Sequence, residues 1–225
     1  MTKHIPNFIT TLNLFSGCVA VYFAFQGNYE VAFYAILLSA VFDFFDGFAA
    51  RLLHAYSPMG KELDSLADVV SFGVAPGAII FALLSQTNVN EYLPYFGFII
   101  PVFSALRLAK FNIDERQTTS FIGLPVPANA IFFAGLVFAY TDVLVENAWL
   151  LIVLSIIFSL LLVSELPMFS LKFKNFGWNN NQIQYLFLAG CVIILGIFML
   201  NAFAFLIAWY ILLSGVAVFI YRGKK

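Results

Sequence analysis

The stretch Asp43–Gly73, DFFDGFAARLLHAYSPMGKELDSLADVVSFG, carries four aspartates at the junction of two apolar segments. At about 100° per residue in a helix, Asp43 and Asp46 lie about 60° apart, and Asp64 and Asp68 lie about 40° apart. Each pair therefore shares one face of its helix. If the two helices form a hairpin, the end of the first lies beside the start of the second. The spacing thus predicts that four carboxylates converge at one end of a helical hairpin.

The composition of the whole chain is that of an integral membrane protein. Of its 225 residues, 62% are hydrophobic and 10% are charged, and the mean hydropathy is +0.94. So few charged residues cannot supply the polar surface that a soluble protein of this length needs. The net charge of -1 gives no basic surface for nucleic acid. Cys18 and Cys191 both lie in apolar runs, and we interpret them as small core residues.

Eight apolar windows are long enough to cross a bilayer, which takes about 20 residues for about 30 Å of hydrocarbon. They run approximately over Phe8–Gln26, Val31–Leu53, Leu63–Leu84, Leu93–Asn112, Pro125–Thr141, Ala148–Leu166, Gln184–Leu200 and Phe203–Tyr221. The last two windows are separated by little more than Asn201, so they form either a tight hairpin or one re-entrant segment. The predicted fold class is an all-α membrane helix bundle with about eight transmembrane helices.

The positions of the basic residues support eight spans and give their orientation, because cytoplasmic loops collect Lys and Arg. With eight spans, both termini share one side with the loops after the second, fourth and sixth spans. That side holds all 11 basic residues of the chain: Lys3, Arg51, Lys61, Arg107, Lys110, Arg116, Lys172, Lys174, Arg222, Lys224 and Lys225. The opposite side holds Glu30, Glu91, Asp142 and Glu146 and no basic residue. We therefore predict that both termini and the aspartates face the cytoplasm.

Four unpaired carboxylates at this place would be costly, because a single charge deep in a bilayer costs about 3 kcal/mol. Arg51 supplies one positive charge, which is too few to neutralise them. Carboxylate oxygens are the ligands that Mg²⁺, Mn²⁺ or Ca²⁺ prefer, whereas zinc favours His and Cys. Two divalent cations would balance four carboxylates and would attract a phosphate-bearing substrate. The simpler alternative is that the aspartates are helix-end charges solvated at the membrane interface.

Small residues accompany the aspartates. Gly47, Ala49 and Ala50 leave one helix surface open, and Gly60 lies where the chain turns back, so a phosphate or sugar could approach the backbone closely. Taken singly, each glycine is equally typical of helix packing or a turn. The sequence GVAPG at Gly73–Gly77 indicates a close-packing notch with a kink at Pro76.

The acidic stretch resembles the signature of the CDP-alcohol phosphotransferase family. That signature is DxxDGxxAR, eight residues, Gly, three residues, Asp, three residues and Asp. The matching positions are Asp43, Asp46, Gly47, Ala50, Arg51, Gly60, Asp64 and Asp68. The resemblance implies a membrane enzyme that moves a substituted phosphate from a CDP-linked donor to an alcohol and releases CMP.

The resemblance also implies roles for individual residues. Asp43, Asp46, Asp64 and Asp68 would be metal ligands for two Mg²⁺ or Mn²⁺ ions, and Asp68 would also be the general base. The resemblance further implies that four residues line the CDP site: Gly47, Arg51, Ser57 and Gly60. The stretch IPNFITTLN looks like the family's entry helix, where Asn7 and Thr10 would contact the nucleotide, although such residues at a helix start are usually caps.

Within the family, the flanking sequences ELDSLADVVSFGVAPG, ALRLAKFN and FIGLPVPANA look like those of the bacterial membrane-bound phosphatidylserine synthases, which use CDP-diacylglycerol and L-serine. This similarity covers about Pro6 to Ala130. Arg107 and Lys110 could hold the donor's phosphate or serine's carboxylate, and they could equally be positive-inside anchors. The expected organisation is one domain over residues 1–225, with a catalytic core over about 6–166 and a further helix pair over about 184–221.

Two other functions stay open from the sequence. A sister enzyme, such as a phosphatidylglycerophosphate synthase, shares the acidic signature and differs in its acceptor. A cation transporter could also use membrane aspartates, but it would place them near the bilayer midplane. The resemblance further implies a homodimer through the third and fourth spans, and a location in the inner (cytoplasmic) membrane with the active site facing the cytoplasm.

Overall fold

Helices form almost all of the structure, a computed structural model that describes residues 4–114, 121–171, 177–178 and 181–222. Nine α-helices occur in this described part: α1 (Ile5–Phe25), α2 (Tyr29–Leu52), α3 (Pro58–Asp68), α4 (Ala75–Leu84), α5 (Ile99–Ile113), α6 (Val126–Glu146), α7 (Ala148–Val163), α8 (Gln182–Phe198) and α9 (Phe203–Arg222). Two short strands, β1 (Phe121–Ile122) and β2 (Pro167–Met168), pair antiparallel. The predicted all-α class is confirmed.

Six helical segments among the described residues are long and apolar enough to cross a membrane. One is the 27-residue segment Pro58–Leu84, which contains α3 and α4, and another is the 37-residue segment Gln182–Val218, which contains α8 and α9. Helix α7 is apolar but has only 16 residues. Each of the eight predicted windows thus coincides with one helical segment once α8 and α9 are separated. The chain is a multi-pass membrane protein, while eight crossings and cytoplasmic termini remain predictions.

Helices α8 and α9 form a tight hairpin, one of the two arrangements that the sequence left open. The backbone breaks at Met199, whose φ is +51°, and a 3₁₀ turn covers Met199–Ala202. The rings of Phe198 and Phe205 lie 4.4 Å apart, and those of Phe187 and Tyr210 lie 5.9 Å apart. Because residues before the turn contact residues after it in reverse order, α9 folds back along α8.

The third apolar segment lies at the centre of the bundle. Of its apolar window, 72% is buried within the chain. A π-helical turn, Val69–Val74, joins α3 to α4 directly after Asp68. In this turn Ser71 Oγ donates a hydrogen bond of 3.0 Å to the carbonyl oxygen of Asn13 on α1. Interhelical bonds of this kind and small side chains are the usual means by which helices associate in membranes.

The glycines of the GVAPG stretch pack closely, as predicted. A Cβ on Gly77 would lie 2.8 Å from the carbonyl oxygen of Gly97, so helix α4 and the 3₁₀ turn before α5 approach with no room for a side chain. The helix irregularity lies in the π turn rather than at Pro76 itself. A proline ring clashes with the carbonyl of the fourth residue before it, here Phe72, and a widened turn relieves that clash.

The start of α6 is held beside the end of α7. Gly123 N–H donates to the carbonyl of Leu166 at 2.9 Å, and Leu124 N–H donates to that of Leu161 at 3.0 Å. Gly123 has a φ of +75°, a conformation that favours glycine. At the same end of the bundle, Lys110 near the end of α5 forms an ion pair with Glu165. The ends of α5 and α7 and the start of α6 therefore lie in one layer.

Parts of the predicted topology are not tested by this architecture. Six basic residues of the charge pattern lie outside the described residues: Lys3, Arg116, Lys172, Lys174, Lys224 and Lys225. Of the two spans predicted to form a dimer interface, the third is mostly buried inside one chain, whereas 28% of the fourth span's window is buried. The fourth span thus keeps more surface for a partner, and the homodimer stays a prediction.

Candidate active site

The aspartates are brought together by the turn between α2 and α3. Helix α2 ends at Leu52, and His54 in the connection has a φ of +48°. Ser57 then caps α3, because its Oγ accepts a 3.0 Å hydrogen bond from the Gly60 N–H, and Pro58 occupies the first turn. The serine cap and the proline fix where α3 begins. They thereby place its aspartates beside those of α2.

Three of the four aspartates form a compact cluster. One carboxylate oxygen each from Asp43, Asp64 and Asp68 lies within 4.8 Å of the other two. Asp46 is not part of this cluster among the described residues, and the convergence of all four aspartates on one metal site stays a prediction. Asp46 faces the same region from one helical turn further along α2 and is 6% exposed.

The hydrogen bonds of these carboxylates are incomplete within the described part of the chain. Asn13 Nδ2 on α1 donates a 3.2 Å hydrogen bond to Asp68 Oδ1, and Asp68 is 7% exposed. Asp46 Oδ2 and Asp64 Oδ1 are buried and have no hydrogen-bond partner among the described residues. Buried carboxylate oxygens without donors are costly unless a cation balances them. The site has the ligand chemistry and the uncompensated charge of a divalent-cation site.

A cavity of about 220 Å³ opens beside the cluster. It is lined by Pro6, Asn7, Thr10, Asp46, Gly47, Ala50, Ala55, Tyr56, Ser57, Gly60, Lys61 and Asp64. Nearly all the residues that the resemblance assigns to the CDP site therefore lie around one space. The exception is Arg51, which is exposed and donates through Nε to the Gly47 carbonyl at 3.0 Å within its own helix.

The two signature glycines serve different purposes in this geometry. A Cβ on Gly60 would lie 2.9 Å from Asn7 Oδ1 and 3.0 Å from Ser57 Oγ, so this glycine lets α1 and α3 approach. A Cβ on Gly47 would meet no atom within 4 Å. Because Gly47 also lines the cavity, its missing side chain keeps that space open for a ligand.

Arg107 and Lys110 differ sharply although they are one turn apart on α5. Lys110 is partly exposed and forms the ion pair with Glu165. Arg107 is 7% exposed, its guanidinium lies 4.9 Å from the centre of the Phe111 ring, and it interacts electrostatically with Asp68. Arg107 is therefore buried within the bundle, whereas Lys110 is held by a structural partner.

Sequence reasoning missed two polar residues at this site. Asn13 contacts Asp68, and Lys61 lines the cavity while its Nζ donates to the Asn112 carbonyl at 3.1 Å. Asn7, Thr10 and Asn13 are spaced by three, which puts polar side chains on one face of an apolar helix. That spacing was the available signal for Asn13. The role of Lys61 has no comparable signal, since a lysine at a loop is usually solvated.

Comparison with known proteins gives one family and several relatives. The chain matches a family described as CDP-alcohol phosphatidyltransferase over residues 3–161. A protein of Bacillus subtilis (strain 168) named CDP-diacylglycerol–serine O-phosphatidyltransferase is 38% identical over 146 residues, covering 63% of this chain and 80% of the relative. Proteins of the same name from Methanocaldococcus jannaschii and Saccharomyces cerevisiae are 33% and 38% identical, covering 86% and 60% of this chain and 84% and 54% of the relatives.

Proposed function

We propose, because the chain belongs to the CDP-alcohol phosphatidyltransferase family, that it transfers the phosphatidyl group of CDP-diacylglycerol to the hydroxyl of L-serine and releases CMP. The observation that carries this proposal is the cluster of Asp43, Asp64 and Asp68 within 4.8 Å, beside a cavity lined by the predicted CDP-site residues. The names of the relatives support serine as the acceptor. The family signature supports a CDP-linked molecule as the donor.

The residues present fit a divalent-cation cofactor. All the ligands are carboxylates, and Asp46 and Asp64 each have a buried oxygen with no partner among the residues described. Asp43, Asp64 and Asp68, with Asp46 beside them, would hold Mg²⁺ or Mn²⁺, and four negative charges call for two such ions. When bound, divalent cations would neutralise charge on the donor's pyrophosphate and make CMP a better leaving group.

The chain's own residues would perform the remaining steps. Asp68 accepts the proton of the serine hydroxyl while that oxygen bonds to the phosphorus carrying diacylglycerol. The bond from this phosphorus to the bridging pyrophosphate oxygen breaks, and CMP departs with the electron pair. Asn13 orients the Asp68 carboxylate through its hydrogen bond to Oδ1. Because Asp68 is almost fully buried, water has little access to the attacking position, which disfavours hydrolysis.

The donor nucleotide would occupy the cavity between α1, α2 and α3. Asn7 and Thr10 would contact it from α1, Gly47 and Gly60 would let the phosphates approach the backbone, and Ser57 would line the site. Arg51, which does not line this cavity among the described residues, keeps the nucleotide contact that the resemblance implies. Arg107 keeps the two ligands proposed from the sequence, the donor's phosphate or serine's carboxylate, and Lys110, in its ion pair with Glu165, keeps the alternative role of an anchor.

We place this reaction at the cytoplasmic face of the inner membrane, on the basis of the charge segregation between loops. The enzyme would act as a homodimer. Its catalytic core would cover about residues 6–166, with the helix pair at about 184–221 added to it.

An acceptor competition tests the proposed function. Purified protein in detergent with CDP-diacylglycerol and Mg²⁺ or Mn²⁺ should incorporate radiolabelled serine into chloroform-soluble product. Glycerol 3-phosphate and inositol should give little product under the same conditions. A protein that uses glycerol 3-phosphate and leaves serine untouched would instead be a sister enzyme. If CDP-diacylglycerol does not protect the protein from heat denaturation, its assignment as the donor would be contradicted as well.

Gly47→Ala tests the donor cavity. A methyl group there meets no protein atom within 4 Å, and alanine favours a helix over glycine, so the melting temperature should not fall. The methyl would occupy space needed by the donor, and we expect the KM for CDP-diacylglycerol to rise about tenfold. Gly196→Ala is the matched control, because a Cβ at Gly196 on α8 also meets nothing within 4 Å. Equal donor KM values for the two variants would contradict the cavity assignment.

A further inference from the structure

The main-chain carbonyl of Asn13 accepts hydrogen bonds from two other helical segments. Ser39 Oγ on α2 donates to it at 3.2 Å, and Ser71 Oγ, in the π turn after α3, donates to it at 3.0 Å. All three residues are fully buried. The side chain of Asn13 meanwhile donates to Asp68 Oδ1. One residue of α1 is therefore bonded to α2, to the π turn and to an aspartate of the cluster.

The two serine hydroxyls do not follow the usual habit of serine in a helix. A helical serine commonly donates to the carbonyl four residues earlier in its own helix, and three serines of the described chain do so: Ser65, Ser155 and Ser214. For Ser39 that carbonyl belongs to Ala35, and it accepts a 2.8 Å hydrogen bond from Ser16 Oγ on α1. Helices α1 and α2 thus exchange hydroxyl bonds, and the bond from Ser39 goes to Asn13.

Close packing brings the π turn within reach of α1. Gly17 lies one turn after Asn13, and a Cβ on Gly17 would lie 2.7 Å from the Cα of Ser71. The missing side chain lets the two backbones approach, as small residues do between membrane helices. At this range a side chain as short as serine reaches the backbone of the neighbouring helix.

Both serines lie next to aspartates of the cluster along the chain. Ser39 precedes Asp43 by four residues, and Ser71 follows Asp68 by three, so each serine shares a helix face with its aspartate. One oxygen of Asp43 and one of Asp68 belong to the group within 4.8 Å. Neither serine is among the described residues that line the donor cavity. The Asn13 carbonyl is thus a common anchor for the two segments that carry these carboxylates.

We propose that Ser39 and Ser71 are positioning residues for the aspartate cluster. Their bonds to the Asn13 carbonyl hold α2 and the π turn on α1, and thereby keep Asp43 and Asp68 at the separation that a shared divalent cation requires. This inference rests on the proposed function and deepens it. Mg²⁺ demands nearly ideal geometry at about 2.0 to 2.1 Å from its ligands, so a small shift of α2 against the π turn would weaken binding.

Direct binding of Mn²⁺ to purified protein, without donor or acceptor, tests the proposal. In Ser39→Ala and in Ser71→Ala the Mn²⁺ affinity should fall about tenfold, as when other groups that orient metal ligands are lost. The KM for CDP-diacylglycerol at saturating Mn²⁺ should be unchanged, because neither serine lines the donor cavity in the described part of the chain. Folded variants with wild-type Mn²⁺ affinity would overturn the proposal.

Tyr29→Phe is the matched control for losing a hydrogen bond between helical segments. The Tyr29 hydroxyl accepts a 2.8 Å bond from Gln86 Nε2, about four turns before Asp43 on α2. Its replacement should leave the Mn²⁺ affinity at the wild-type value. If Tyr29→Phe weakens Mn²⁺ binding as much as the serine variants do, the effect is a general loosening of the bundle and the proposal is overturned.

A double-mutant cycle separates positioning from any other effect of Ser39. In Asp43→Asn the carboxylate that Ser39 positions is already lost, so adding Ser39→Ala should weaken Mn²⁺ binding by a smaller factor than it does in the wild type. Equal factors in the two backgrounds would overturn the positioning of Asp43 by Ser39. The proposed function fails separately, when wild-type protein forms no serine-containing lipid, because the Mn²⁺ measurement involves neither substrate.

Discussion

Replacing Asp68 with asparagine should lower the rate of CMP release by about 10³-fold or more while donor binding persists. The substitution keeps the shape of the side chain and an oxygen that can accept the Asn13 hydrogen bond, so the local packing should survive. It removes the base that takes the serine proton, a function that typically contributes about 10²- to 10⁴-fold, together with one charge of the cluster. Product formation measures the first effect, and protection from heat denaturation by CDP-diacylglycerol measures the second.

Asp142→Asn is the matched control for this variant. Asp142 is exposed near the far end of α6, on the face predicted to lie opposite the site. The Asp142→Asn variant should retain wild-type turnover. Substantial CMP release by Asp68→Asn would show that another group takes the proton. Loss of donor protection in the same variant would show that Asp68 acts mainly in binding.

Replacing Asp43 with asparagine should raise the concentration of Mg²⁺ or Mn²⁺ needed for half-maximal activity by about 100-fold. Asp43 is part of the cluster within 4.8 Å, so the substitution removes a ligand and a negative charge together. Loss of residues that only support a ligand already costs about 10- to 100-fold in metal affinity. Activity measured over a cation titration, alongside direct measurement of Mn²⁺ binding, checks the shift.

Asp46→Asn distinguishes the role of the three clustered aspartates from that of the fourth. Because Asp46 lies outside the cluster of three among the described residues, its replacement should raise the cation requirement less than Asp43→Asn does. It should also raise the KM for CDP-diacylglycerol, since Asp46 lines the cavity. Unchanged cation dependence in both variants would contradict metal binding by the α2 aspartates.

Local sequence features predicted most of the helices. Apolar windows located every helical segment to within a few residues, because a bilayer-spanning helix needs a continuous apolar run of set length. The pairs Asp43 with Asp46 and Asp64 with Asp68 were assigned to common faces from the helical repeat alone. The glycines of GVAPG were assigned to close packing, and Gly77 contacts Gly97 accordingly.

Local sequence patterns could not predict the contacts between distant segments. The spacing gave four equivalent aspartates, and the structure groups Asp43, Asp64 and Asp68 within 4.8 Å. The sequence presents Arg107 and Lys110 as equivalent charges one turn apart, yet Arg107 is buried while Lys110 forms an ion pair with Glu165.

The sequence by itself determined that the chain is a multi-pass helical membrane protein and which faces carry its acidic residues, because hydropathy and helical periodicity are properties of neighbouring residues. Only the tertiary structure decided which carboxylates meet, that Asn13 bonds Asp68, and which basic residue of α5 is buried. Those outcomes depend on how α1, α2, α3, α5 and α9 pack. Packing is fixed by side-chain shape across many residues of separation, which no local pattern records.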